Sequence, residues 1–249
     1  LLSNFKDGHK VLGVTPEEIG KIAIGRGIPT IISYFGRDVA KSILEEHGAA
    51  KVVTATNVFA HIDGINEIVE CILELLDQDG VFITECHYLG SLVETLQYDT
   101  IYHEHLMYYS LHSLKYLLEQ HGLEIFHAKQ IPTHGGSIRS YVSRKGEFKV
   151  KPSVAEILNQ EEKSGLEGEK LLDFKNRVVV SKLELHSMLL EIKNQGKRIY
   201  GIGAPSRAST LINYVGIDFD LLPYVVEQKS SLKLNKFVPG TRIPVVSNE

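Results

Sequence analysis

The 249-residue chain has only two cysteines, Cys71 and Cys86. That excludes a disulfide framework and a cysteine-built zinc cluster. Both thiols sit in apolar runs and read as core residues of a reducing compartment. No apolar run approaches the roughly 20 residues that a membrane helix needs, and no signal peptide is recognisable. There is no long basic run, and the formal net charge is −4. Nothing therefore draws the chain to nucleic acid or to a membrane surface. No repeat of fixed period, low-complexity tract or HExxH motif is present. The expected setting is the cytoplasm. What is there is ordinary for a globular protein, 43% hydrophobic and 23% charged, enough for one large or two modest domains. The exception is a supply of eleven histidines, the side chain that titrates near neutral pH.

Alternating strand-like and helical runs set the fold class. KVLGV (10–14), IPTIISYF (28–35), KVVTATNVFAHI (51–62) and VFITECHY (81–88) read as strands. Between them, residues 17–26, 38–47 and 66–80 carry apolar residues at helical spacing, and each stops at a glycine. A helix over 111–122 is followed by two strand-like runs, 123–131 and 136–146, with no helix between them. This is an α/β fold with a mostly parallel sheet and an antiparallel end. Residues 149–196 are polar and helical and form a linker. Residues 197–228 begin a new strand, glycine loop, helix and strand. The expected domains are 1–148, the linker 149–196, and 197–249. Both chain ends fall inside patterned sequence, so residues are expected on either side.

Four stretches hold candidate chemistry. GIGAPSRAST (201–210) turns from a strand into a helix N-terminus, a setting whose backbone N–H groups suit phosphate; Arg207 and Thr210 can add to it. Pro205 and Ser206 break the GxGxxG pattern, which disfavours NAD, and a plain strand–helix turn is the bland alternative. In TATNVFAHID (54–63), Asn57 and His61 fall at the carboxyl end of a parallel strand, where such folds bind ligands, although a buried, satisfied histidine reads the same way. In THGGSIRSY (133–141) the paired glycines permit close backbone approach ahead of Ser137 and Arg139, and a β-turn would also use them. The fourth, YDTIYHEHLMYYS (98–110), sets Tyr102, His103, Glu104 and His105 side by side. The HEH triplet can hold a metal, but no further ligand cluster completes a site. An acid–base site asks less: an imidazole to take a proton, a carboxylate to orient it and a tyrosine hydroxyl for a developing oxyanion. A solvated loop is the third possibility.

Taken in order, ATNVFAHID, YDTIYHEH, HGGSIRSYVSRKG and YGIGAPSRASTLINYVGI resemble the S-adenosylmethionine-dependent sugar C-methyltransferases, which act on nucleotide-linked 4-keto-deoxysugars. The resemblance runs from about residue 1 to 245. It implies a class I methyltransferase (Rossmann-like) sheet, shortened at its N-terminus, followed by a second Rossmann-like domain. The family's zinc-binding domain, first strand and glycine-rich cofactor loop would precede Leu1. It implies S-adenosylmethionine as cofactor, with Thr15, Phe35 and Asn57 along its side. Thr15 stands where the family usually has an acid for the ribose, and Glu17 is its nearest substitute.

The chemistry so implied is methylation of carbon beside a ketone through an enolate. His105 matches the family's base, Tyr102 and Glu104 its supporting residues, and His61 a second active-site histidine placed to touch the enolate oxygen; His103 is expected to be structural. Arg207 matches a basic residue that would meet the diphosphate of a nucleotide-diphosphate sugar, with Thr210, Ser137 and Arg139 also expected at the substrate. The rival readings are methyl transfer to oxygen or nitrogen, a ketosugar epimerase or isomerase, and a non-catalytic nucleotide-sugar binding module. A hydride-transferring enzyme fits least, because neither glycine loop suits it.

Overall fold

Strand and helix alternate from the start of the chain in the computed structural model, which describes residues 1–166 and 168–248. Two units emerge. One holds Leu1–Cys86, Leu111–Lys129 and Ile138–Glu156; the other holds His87–Ser110, Gln130–Ser137 and Ile157–Glu249. The chain therefore passes from one to the other several times, and the units do not coincide with consecutive blocks of sequence.

In the first unit β1 (Gly13–Thr15) and β2 (Thr30–Ile32) pair in parallel, with Val14 opposite Ile31. Helix α1 (Gly20–Gly25) connects them and α2 (Arg37–His47) follows. The second sheet has β3 (Ala50–Thr56) parallel to β4 (Leu76–His87), then β6 (Ser137–Arg144) and β5 (Leu123–Ile131), in the order β3-β4-β6-β5. Only a short turn separates neighbours β5 and β6, too little for a parallel crossover of about a dozen residues, so they run antiparallel.

Helix α3 (Ile65–Leu75) buries Ile65, Val69 and Ile72, one face at helical spacing, together with Cys71 and Leu75. Cys71 and Leu75 meet Ala40 of α2, with Phe35 and Ile43 packed beside them. Helix α5 (Leu111–Glu119) sinks Leu111, Leu114 and Leu118 completely, each worth about 1.5–3 kcal/mol of burial.

The helix expected over 66–80 ends earlier than its pattern suggested. Leu76 turns extended (φ −69°, ψ 130°) and begins β4. The pairing partner jumps from Ala50↔Leu76 to Val52↔Val81, so three extra residues bulge out of β4. Gly80 makes the bulge possible: a Cβ there would stand 2.9 Å from the Ala50 carbonyl oxygen and 3.0 Å from the Asp77 backbone. Lys51 draws in the bulge carboxylates Asp77 and Asp79.

The second unit holds α4 (Leu89–Glu94), α7 (Glu169–Asn194), and a three-stranded parallel sheet of β7 (Gly201–Ile202), β8 (Val225–Glu227) and β9 (Val245–Ser247). Helix α6 (Pro152–Ser164) leads into it. The strand expected at KRIY is displaced: pairing starts only at Gly201. Helix α8 (Ser206–Val215) follows the glycine loop and closes on Gly216 in the left-handed region (φ 82°), the usual C-terminal cap. Ile212, Val215, Leu221, Val225, Ile243 and Val245 form the core here. Arg177 of α7 donates to the carbonyls of Val93 (3.5 Å) and Glu94 (3.2 Å) at the end of α4.

Candidate functional site

The YDTIYHEH stretch is neither strand nor regular helix. A 3-10 turn at Tyr98–Thr100 opens it, stapled by Thr100 Oγ1 donating to the Gln97 carbonyl at 2.7 Å. The carbonyl of Thr100 then faces inward and accepts two hydrogen bonds, from His105 Nδ1 at 2.9 Å and from the Tyr108 hydroxyl at 3.2 Å. A carbonyl can only accept, so His105 Nδ1 carries a proton. In the neutral ring Nε2 then bears the lone pair, and it stands 3.4 Å from the Tyr102 hydroxyl. The Tyr102 and His105 rings lie with centroids 4.5 Å apart. Tyr102 and His105 are thus brought together. His103 and Glu104 are exposed. Glu104 still bears on Tyr102: burial pushes the phenol pKa up, the Glu104 charge adds to that, and Arg207 opposes it.

Sequence reasoning missed the groups that hold this arrangement. Asp99 sits in the 3-10 turn and takes Arg207 in a two-pronged ion pair, Nε to Oδ2 at 2.5 Å and Nη2 to Oδ1 at 2.9 Å. Tyr214, two turns along α8 from Arg207, packs edge-on against Tyr98, centroids 5.6 Å apart. His87, at the end of β4, is half-buried. Burial lowers its pKa, a side-chain hydrogen bond with Gln97 works the other way, and the charges of His105, Arg207 and His134 add to the lowering. No spacing rule marks His87, since the strand pattern explains it without a function.

The remaining second-unit candidates are placed as follows. The paired glycines of the HGG turn are needed for packing: a Cβ on Gly135 (φ 80°) would meet Gln97 Oε1 at 2.5 Å, and one on Gly136 (φ 122°) would meet Ser91 at 2.4 Å. Gln97 Nε2 donates to the Gly135 carbonyl at 2.8 Å. Ser137 is fully buried and donates to Thr133 O at 3.0 Å. In the 201–206 loop, the Ala204 N–H already donates to a carboxylate oxygen of Glu227 at 2.9 Å. The Ala204 and Gln228 amides hold the Glu227 carboxyl below its ordinary range. Thr210 is half-buried on α8.

In the first unit, Thr15, Phe35 and Asn57 all lie at or just beyond carboxyl ends of parallel strands, where an α/β fold binds ligands. Asn57 is held in the left-handed region (φ 53°), and its N–H donates to the Glu85 carbonyl at 2.7 Å. Phe35, half-buried, packs against the Ala40–Cys71–Leu75 cluster. Thr15 Oγ1 accepts weakly from Glu17 N at 3.4 Å. A hydroxyl, a half-exposed ring and an amide fit an adenosine-bearing group in kind, without a carboxylate at Thr15. His61 is exposed in the 3-10 turn Phe59–His61. Arg139 is committed elsewhere: its Nε and Nη2 both donate to Glu85 Oε2, at 3.0 and 2.7 Å. Among the described residues no group of three His, Cys, Asp or Glu is gathered to hold a metal ion. Nor is any described helix long and apolar enough to cross a membrane.

With this geometry in hand, comparison with known proteins is informative. Residues 6–128 match the methyltransferase domain family, and residues 132–249 match the C-methyltransferase C-terminal domain family. The C-methyltransferase NovU of Streptomyces niveus is 34% identical over 245 residues, 97% of this chain. The chain spans 58% of that relative's length. Among solved structures, an S-adenosylmethionine-dependent methyltransferase from Clostridium acetobutylicum covers 59% of this chain and 80% of its own at 14% identity, TM-score 0.43. The mitomycin 7-O-methyltransferase MmcR covers 54% and 49% at 15% identity, TM-score 0.41.

Proposed function

In its two matched segments the chain belongs to the methyltransferase domain and C-methyltransferase C-terminal domain families, and from that premise we propose that it serves S-adenosylmethionine-dependent methylation of carbon beside the ketone of a nucleotide-linked 4-keto-deoxysugar. The observation that carries the reading is the pinned imidazole of His105. Its Nδ1–H is committed to the Thr100 carbonyl, which leaves Nε2 as the proton acceptor, next to the Tyr102 hydroxyl. A fixed tautomer that keeps its lone pair on one nitrogen is what a general base requires.

His105 Nε2 takes the proton from the carbon beside the ketone. The C–H electron pair becomes the carbon–carbon double bond of the enolate, and charge moves to the ketone oxygen. A hydroxyl aimed at that oxygen stabilises it as it becomes negative; Tyr102, 3.4 Å from Nε2, is assigned that part, and its raised pKa keeps it protonated as a donor. Glu104, whose charge raises that pKa, supports the donor form. His61 is carried as a proposed second active-site histidine. S-adenosylmethionine, when bound, supplies an electrophilic methyl group on sulfur. Thr15, Phe35 and Asn57 are the residues assigned to it, and the backbone bond from Asn57 to Glu85 keeps that turn in place. Thr210 is assigned to the sugar nucleotide, and Ser137, fully buried, to holding the HGG turn beside it through Thr133.

The test supplies the full-length protein with donor carrying a 13C methyl group and thymidine-diphospho-4-keto-6-deoxyhexose as probe acceptor. Carbon NMR of the product locates the label. A new carbon–carbon bond beside the carbonyl is expected. Label on oxygen or nitrogen, or none on the sugar, overturns the reading.

A further inference from the structure

Arg207 was expected at the diphosphate, yet its guanidinium is engaged within its own unit. Two of its nitrogens bind the two carboxylate oxygens of Asp99, at 2.5 and 2.9 Å. Fork-on-fork pairing of this kind fixes orientation as well as charge. The Arg207 side chain is 39% exposed and that of Asp99 21%, so the pair is partly shielded. Asp99 is the middle residue of the Tyr98–Thr100 turn. The next residue, Thr100, presents the carbonyl that holds His105 Nδ1. A second contact from the same helix reaches the same turn, Tyr214 against Tyr98. One helix therefore grips the turn at residues 98 and 99, and the turn's third residue sets the tautomer and direction of the imidazole.

We infer that Arg207 is a positioning residue: through Asp99 it fixes the Thr100 carbonyl and thereby the proton on His105 Nδ1, leaving Nε2 as the base. The inference rests on His105 being the base, as proposed above. It also assigns the glycine-loop helix α8 a task distinct from anion binding. That division is consistent with Glu227, which already places a carboxylate on the loop amide of Ala204. An arginine spent on an aspartate and a loop amide spent on a glutamate remove two of the donors that this end of α8 would offer an anion, while Lys233 remains on the Ala204 carbonyl.

Two variants separate the two roles of Arg207. Arg207→Gln removes the cation. Asp99→Asn keeps the shape of the acceptor and releases the cation. If Arg207 positions the base, both variants lower kcat by about tenfold to a hundredfold, the range that small misplacement costs, and both leave KM for the sugar nucleotide within about twofold. The double variant is then no slower than either single one. If Arg207 instead binds diphosphate, Arg207→Gln raises KM about tenfold at constant kcat, and Asp99→Asn leaves KM equal or lower; that result overturns the inference. A readout independent of turnover keeps the two proposals separate. In 15N imidazole NMR, with His105 assigned by loss of its signals in His105→Asn, the wild type shows a protected Nδ1–H. Both variants are expected to lose that protection, and an unchanged His105 signal in folded variants refutes the positioning role even if no methyl transfer is ever detected.

Discussion

Replacing Arg139 with methionine tests whether this arginine serves the fold or the ligand. The Glu85 side chain is 8% exposed and that of Arg139 is 38% exposed. Both guanidinium contacts converge on one oxygen, Glu85 Oε2. Removing one partner of a fully buried pair costs about 3–5 kcal/mol, because the other charge stays buried. Here the arginine half reaches solvent, and screening reduces the value; the expected loss is ~2 kcal/mol. Urea unfolding, followed by far-UV circular dichroism, gives the number. Glu85→Gln in the Arg139→Met background should recover part of it, since a buried carboxylate charge is removed. The backbone of Glu85 also accepts the Asn57 N–H at 2.7 Å, so a loosened β4 end should weaken donor binding more than sugar binding. If Arg139→Met unfolds within 0.5 kcal/mol of wild type, the range of a surface change, and raises KM for the sugar nucleotide, the reasoning fails and Arg139 is a substrate residue.

Two further outcomes follow from titratable groups. Burial holds His87 below its ordinary pKa of 6.5, so the unfolded chain takes up that proton first. Its contribution to stability is complete above about pH 6.5 and falls as pH drops through the window below it; His87→Gln should flatten unfolding free energy against pH there, and an unchanged slope refutes the assignment. Cys86 is buried and its thiol pKa is pushed up to about 12, so native protein should resist iodoacetamide at Cys86 at pH 8, with labelling only after denaturation. Rapid native labelling would contradict the packing.

Much of the fold is legible in sequence because local period and burial agree. Helices α2, α3 and α5 start where their apolar spacing starts. Where the two signals part, sequence misleads. The apolar period of α3 carries through Leu75 and Leu76 up to a glycine, so a helix to 80 was the natural reading. The bulge that replaces its last turn depends on Gly80 lying against Ala50, a contact between distant residues that no local pattern records. KRIY was similarly misjudged because β7 pairs only where Tyr224 and Val225 reach it.

At the candidate site, the sequence singled out Tyr102 and His105, and the structure sets their rings together. It could not supply the reason they are held so. Thr100 acts through a backbone carbonyl, which no side-chain motif marks. Asp99 and Arg207 lie 108 residues apart. Arg139 and Arg207, both expected at the substrate, carry ion pairs within the chain, to Glu85 and Asp99.

The central claim is that His105 Nε2 removes a proton from the carbon that is methylated. Its most direct test is exchange in heavy water, with the full-length protein, thymidine-diphospho-4-keto-6-deoxyhexose and no methyl donor, read by mass spectrometry of the sugar. Deuterium is expected to enter beside the ketone with wild type, and only at the uncatalysed rate with folded His105→Asn. Exchange that persists at the wild-type rate in His105→Asn would contradict the claim.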